Sequence, residues 1–251
     1  MRLLLPLLAI AFAVFSTLPH QVARAQDLVA DLSDHVIAIN TGFTGTKVLL
    51  YGAKEGAGDV AVVVRGPIDR ATVREKDRVA GIWINQASIK FTGVPGFYAV
   101  ATSKPIEELA PAAVLDRVGI GLKHLQLAAS DTGDASPEAI TAYRDALIRG
   151  LQRRGLYVTE TGQVSFLSGR LFRTRIEFPA NVPTGQYQVE AYLFRDGQIV
   201  DAQTTPLIVG KVGLGAEIYD FAQRESALYG LAAILVAVAA GWVASVVFRR
   251  A

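Results

Sequence analysis

Cysteine is absent from all 251 residues, which excludes a Cys-anchored lipoprotein, a disulfide-stapled small domain and a thiol enzyme. Histidine is scarce. Of the three present, His20 falls in an apolar N-terminal stretch, and neither His35 nor His124 stands in a His-Glu-x-x-His helix. The chain has no Gly-x-Ser-x-Gly elbow and no Walker loop. Gly119-Ile120-Gly121 continues with Leu122-Lys123-His124 where a dinucleotide site needs its third glycine, and Gly213-Leu214-Gly215 fails in the same way at Ile218. An excess of positive charge is missing too once the ends are set aside. Arg2, Arg24, Arg249 and Arg250 lie outside residues 26–225, which carry 21 basic against 23 acidic residues. A slightly acidic body lacks the footprint that a phosphate backbone needs, so nucleic acid is excluded as a partner. No cofactor or resident metal is implied.

What is present is concentrated at the two ends. Residues 227–248 carry no charge and stop at Arg249-Arg250; at 1.5 Å per residue they span about 33 Å, enough to cross a bilayer core. At the other end, Arg2 precedes the apolar residues 3–15, and Ala23-Arg24-Ala25 then offers an Ala-x-Ala cleavage motif before Gln26. Residues 1–25 therefore read as a secretory signal peptide, with an uncleaved anchor as the alternative. Either way residues 26–225 are expected outside and 249–251 as a cytoplasmic tail, in line with the positive-inside rule. Bacterial inner membrane, single pass, with a periplasmic ectodomain, is the expected location.

The ectodomain reads as mainly β. Residues 36–39, 47–51 and 60–64 are short apolar runs bounded by Gly, Asn or Asp, and further strands are expected at 71–75, 81–85, 88–91 and 97–102. Residues 106–127 look locally helical, broken by Pro111 and two glycines. One soluble helix is well punctuated over residues 137–154, with Ser136 as N-cap, Pro137 at its first position and Gly155 beyond its end. Its apolar stripe is Ile140, Tyr143, Leu147 and Leu151. Strict alternation from Phe172 to Phe178 and from Tyr187 to Leu193 follows, and Asp196-Gly197 signals a hairpin into residues 199–209.

Val94-Pro95-Gly96-Phe97-Tyr98-Ala99-Val100 echoes Val182-Pro183-Thr184-Gly185-Gln186-Tyr187-Gln188-Val189 with one residue inserted. Each echo could open the penultimate strand of a sandwich, where an Ig-like Tyr folds back onto the preceding loop. The expected fold is thus one or two Ig-like β-sandwich units with an inserted amphipathic helix, or a single mixed β-domain. The expected divisions are 26–105 and 106–215, a juxtamembrane helix at 216–226 and a transmembrane helix at 227–248.

Candidate interaction residues fall into three groups. Ala233, Ala237, Gly241 and Ser245 repeat at i+4 on the apolar helix and form a stripe of small residues through which another helix could pack, whether a membrane protein or a second copy; alanine-rich composition alone is the bland explanation. Arg65, Arg70, Arg74, Lys76 and Arg78 form the densest basic stretch, a candidate oxyanion site through planar guanidinium forks or else a salt-bridged strand face. Asp131, Thr132, Asp134 and Glu138 supply oxygens that a hard cation would accept, but in a spacing that suits a turn before a helix better than an EF-hand. The adjacent Asp34 and His35 point to opposite faces of a strand, which argues against a dyad.

The strings Asp59-Val60-Ala61-Val62-Val63-Val64-Arg65-Gly66-Pro67, Val79-Ala80-Gly81-Ile82-Trp83-Ile84-Asn85, Val94 to Val100 and the terminal Tyr229-Gly230 with Gly241-Trp242 resemble an alphaproteobacterial family of transmembrane proteins with no assigned activity. The resemblance implies an inner-membrane protein with a periplasmic ectodomain. It further implies an accessory role beside a sulfite or organosulfonate exporter, and it offers no catalytic residues. A non-enzymatic, membrane-anchored interaction module is the expected function. The alternative is a periplasmic solute- or oxyanion-binding domain.

Overall fold

Residues 60–64 are apolar without alternation, which in a strand means that both faces are covered. The structure, a computed structural model, describes residues 26–79, 81–213, 219 and 221–249. The expected signal peptide lies outside them, as do most of residues 214–220 and the last two residues.

In chain order the strands are β1 (Leu28–Leu32), β2 (Val36–Ile39), β3 (Gly45–Lys54), β4 (Asp59–Arg65), β5 (Ile68–Val79), β6 (Ile82–Pro95) and β7 (Tyr98–Thr102). Two short helices, α1 (Ile106–Leu109) and α2 (Ala112–Val118), precede β8 (Ala128–Asp131) and α3 (Pro137–Arg153). After these come β9 (Gly162–Gln163), β10 (Ser165–Leu167), β11 (Leu171–Pro179), β12 (Gly185–Arg195), β13 (Gln198–Lys211) and the terminal α4 (Ser226–Phe248).

Three sheets result. A six-stranded sheet in the order β2-β13-β12-β4-β7-β9 forms the centre, a four-stranded sheet runs β1-β3-β11-β10, and β5-β6-β8 make a third. Val60, Val62 and Val64 of β4 face the four-stranded sheet, joining Leu50, Phe172, Ile176, Tyr187 and Leu193 in one core. Ala61 and Val63 face the other way, into a second core with Phe91, Leu115, Ile148, Leu151 and Tyr157. The layers are therefore sheet, central sheet, then helices with a hairpin. Every residue from Val60 to Val64 is at most 1% exposed, and each fully buried Val or Leu contributes about 2 kcal/mol.

The hydrogen bonding crosses the boundary expected at residue 105. β11 pairs with β3, from Leu171↔Ala53 to Pro179↔Gly45, and β12 pairs with β4. The later strands thus complete the sheets begun by the earlier ones, and the β-rich fold has one two-sheet sandwich core rather than two in series. The two echoed strands are both neighbours of β4, but their registers differ by one. Arg65 pairs with Tyr98 on one side and with Gln188, not Tyr187, on the other. A shift of one residue turns a side chain to the opposite face. Tyr187 enters the sandwich core and donates to Pro183 O at 2.6 Å, the fold-back expected of it, whereas Tyr98 faces the helices.

Local expectations for α3 hold: Ser136 Oγ accepts from Ala139 N, and Gly155 takes φ +70°. Asp196 (φ 48°) and Gly197 (φ 74°) form the hairpin turn between β12 and β13, with both residues left-handed as such turns require. The strands expected at 81–85 and 88–91 are one long strand, β6, which starts at Ile82 after a turn at Gly81, and β1, β8, β9 and β10 were not expected. Of the juxtamembrane helix, residues 221–224 are helical, and Glu225 N bonds to Phe221 O at 2.8 Å.

Candidate functional site

Alternation along β4 brings Arg65, the last residue of the strand, to the helix-facing side of the central sheet. There its guanidinium pairs with Glu190 of β12, the two side chains being 16% and 17% exposed, and donates to the carbonyls of Val118 and Gly119. Tyr98 Oη donates to Gly119 O at 2.7 Å and accepts from Gly121 N at 2.8 Å. Tyr192 Oη donates to Glu190 Oε2 at 2.9 Å. Gly119 is the left-handed C-cap of α2 (φ 62°). Side chains from two strands, β4 and β7, therefore satisfy carbonyls that the helix leaves open, and β12 holds Arg65 in place through Glu190.

Burial pushes the Tyr98 phenol up to about 12, partly offset by the Gly121 N–H and by Arg65. Burial also raises Tyr192, against the pull of Arg65. Both stay protonated at neutral pH and serve as hydrogen-bond donors. The arrangement holds the turn at residues 118–121 onto the sheet, and every polar group in it already has a partner.

Beside this brace lies a cavity of about 560 Å³ lined by Thr92, Asp116, Lys123, His124, Gln126 and Arg144 among others. His124 Nδ1 meets Asp116 Oδ1 at 2.7 Å. Arg144, projecting from α3, donates to the carbonyls of Leu122, Lys123 and Leu125 at 3.0, 3.1 and 2.9 Å. An Asp–His pair suits catalysis when the imidazole reaches a nucleophile. Among the described residues no hydroxyl bonds to His124, and that of Thr92 is turned to Ala128 O.

The structure distributes the residues singled out from sequence as follows. Arg65 is in the central sheet, while Arg70, Arg74, Lys76 and Arg78 are exposed along β5 in the third sheet, so the five are not brought into one concavity. Arg78 Nε donates to Gly81 O across the hairpin end. Asp131 pairs with Lys90 at 2.9 Å. Glu138 lies in the first turn of α3, where hydrogen bonds from its own N–H and from Ser136 hold its carboxyl below the usual range. No group of three metal-binding side chains occurs among the described residues. His35 Nε2 pairs with Asp31 rather than Asp34.

Ala233, Ala237, Gly241 and Ser245 are all on α4, none of whose residues is buried by the rest of the chain. A Cβ on Gly241 would meet nothing within 4 Å. The residues that sequence reasoning missed are Glu190, Arg144 and the carbonyls that Arg144 and Arg65 serve. Glu190 reads as an ordinary outward position of an alternating strand, and its partner lies 125 residues away.

α4 is 23 residues long with a mean hydropathy of 2.5, long and apolar enough to cross a membrane. No curated protein matches the chain. Residues 27–250 match the family Alph_Pro_TM, described as "Putative transmembrane protein". With nearly its whole length matched, β-rich part and apolar helix together, the chain belongs to this transmembrane protein family.

Proposed function

We propose that the protein is a non-enzymatic interaction module, tethered to the inner membrane by α4 with its ectodomain in the periplasm, which engages a membrane protein partner. The observation that carries this reading is α4 itself, a 23-residue apolar helix that buries no face against its own chain. Its small-residue stripe would let a second helix approach closely. The non-enzymatic part is supported by the way the polar groups are used. Arg65, Glu190, Tyr98 and Arg144 all hold backbone or one another. The resemblance favours a small-anion exporter of the sulfite or organosulfonate kind as the first partner to test. The oxyanion-binding alternative draws no comparable support, because Arg65 is taken by Glu190 and the β5 cations stand apart from it.

The test compares two apolar substitutions that preserve membrane insertion. Gly241→Leu adds bulk on the stripe and should weaken association in an in-membrane assay by about tenfold, whereas Val238→Leu should leave it unchanged. Equal association in both variants, or the absence of any membrane protein crosslinked to the native chain in mild detergent, would sink the reading.

A further inference from the structure

The four-stranded sheet is the outermost layer on its side of the ectodomain, and its outer face carries an apolar patch at one end, with the exposed Lys47–Glu177 ion pair at the other. Val29 of β1, Tyr51 of β3 and Leu171 of β11 are 50%, 46% and 53% exposed, with Leu167 of β10 at 42%. The register makes them neighbours: Val29, Ala53, Leu171 and Leu167 stand side by side across four strands, and Tyr51 lies in the next row between Asp31 and Arg173. A shallow apolar cleft of about 340 Å³ runs between them. On the same face, Arg173 and Arg175 alternate outward from β11, and among the described residues neither meets a carboxylate. A contiguous apolar patch edged by unpaired cations marks an interaction surface rather than ordinary surface scatter.

From this geometry we infer that the outer face of the four-stranded sheet rests on the surface of an anionic bilayer, independently of any partner held by α4. The same chain supplies the reason for this occupant. Residues 212–225 join β13 to the membrane helix and, at full extension, reach at most about 50 Å. The ectodomain is thus held permanently within reach of lipid headgroups, where even a weak patch is occupied through effective concentration. Arg173 and Arg175 complement phosphate headgroups, and Tyr51 with the aliphatic row suits the interfacial zone where aromatic rings settle. Docking would lay the sandwich flat, with the central sheet, α3 and the β5–β6 hairpin facing away from the membrane.

Because the chain has no cysteine, single nitroxide labels can be placed without background. Ser165→Cys on β10 reports from the docking face, opposite Arg173 in the register, and Ala142→Cys on α3 reports from the opposite layer. The full-length protein is reconstituted in nanodiscs of phosphatidylcholine alone or mixed with phosphatidylglycerol. In the anionic discs the residue-165 label should be shielded from an aqueous nickel chelate and reached by dissolved oxygen, while the residue-142 label stays water-accessible. Each cation near an anionic surface adds about fivefold to binding. Reversing both arginines, Arg173→Glu with Arg175→Glu, should therefore return the residue-165 label to the water-accessible state without altering the far-UV spectrum. Equal nickel accessibility at the two labels in anionic discs overturns the inference. So does shielding that appears only when other membrane proteins are added, which would assign the face to a protein instead.

Discussion

Arg65 bridges the central sheet and the end of α2, with Glu190 as its counter-charge in a pocket that is five-sixths closed to water. A carboxylate left alone in such a place is costly, while an apolar pair of similar volume can be tolerated. Arg65→Ala should therefore destabilise the protein by about 3 kcal/mol in urea titrations, and Arg65→Met combined with Glu190→Met should cost less than Arg65→Ala alone. A double variant as damaged as the single one would show that packing, not the stranded carboxylate, sets the loss. Tyr98 gives the second residue-scale expectation. Its phenol is raised from 10.0 to about 12 by burial, so above pH 10 the unfolded chain loses this proton before the folded one does. Its contribution is complete below pH 10 and is lost as pH rises through about 12. Tyr98→Phe should start lower at neutral pH, for want of two hydrogen bonds, yet lose less stability per pH unit between 10 and 11. Tyr157 and Tyr187, also raised by burial, keep the slope from vanishing. Identical slopes in both proteins would remove Tyr98 from this account.

Among the elements, β1 shows how an edge is protected. Its free backbone edge is taken up by side chains of the other sheet: Leu28 N donates to Asp201 Oδ2 at 2.9 Å and Ala30 N to Gln203 Oε1 at 2.8 Å. An edge so covered is no template for another strand. The fit depends on Gly52 of β3, where an added Cβ would lie 2.3 Å from Val29 O and 2.5 Å from the Phe172 ring. Gly52→Ala must displace β1, and a loss of about 2 kcal/mol with faster hydrogen exchange at Leu28 and Ala30 is expected. Gly210→Ala, which meets nothing within 4 Å, is the control. Unchanged exchange at β1 in Gly52→Ala would mean that the strands can part without breaking the edge.

At the scale of the molecule, the β-rich part is an interleaved structure: both large sheets are built from strands on either side of residue 105. Neither half holds a sheet of its own with both faces covered, so residues 26–105 and residues 106–213 expressed separately should each remain without fixed tertiary structure. Near-UV circular dichroism and dispersion of amide signals check this, and a half that gives native-like dispersion alone would restore the serial two-domain arrangement.

The sequence by itself determined everything whose signal repeats locally. Alternation marked β11 and β12, Ser136-Pro137 and Gly155 bounded α3, Asp196-Gly197 fixed a hairpin, and an uncharged run of membrane length announced α4. The unalternating Val60 to Val64 run shows that both faces are covered, but the sequence could not show that a sheet covers one and helices the other, because both coverings come from distant segments. Nor could it show that the Tyr98 and Tyr187 echoes face opposite ways. That difference is a one-residue register set by β4 between them, and register belongs to the pair of strands, not to either strand's own sequence. The polar brace has the same character. Arg65 reads as one member of a basic stretch and Glu190 as an outward residue of its strand, and only the closure of long loops, which local propensity does not encode, brings them into contact.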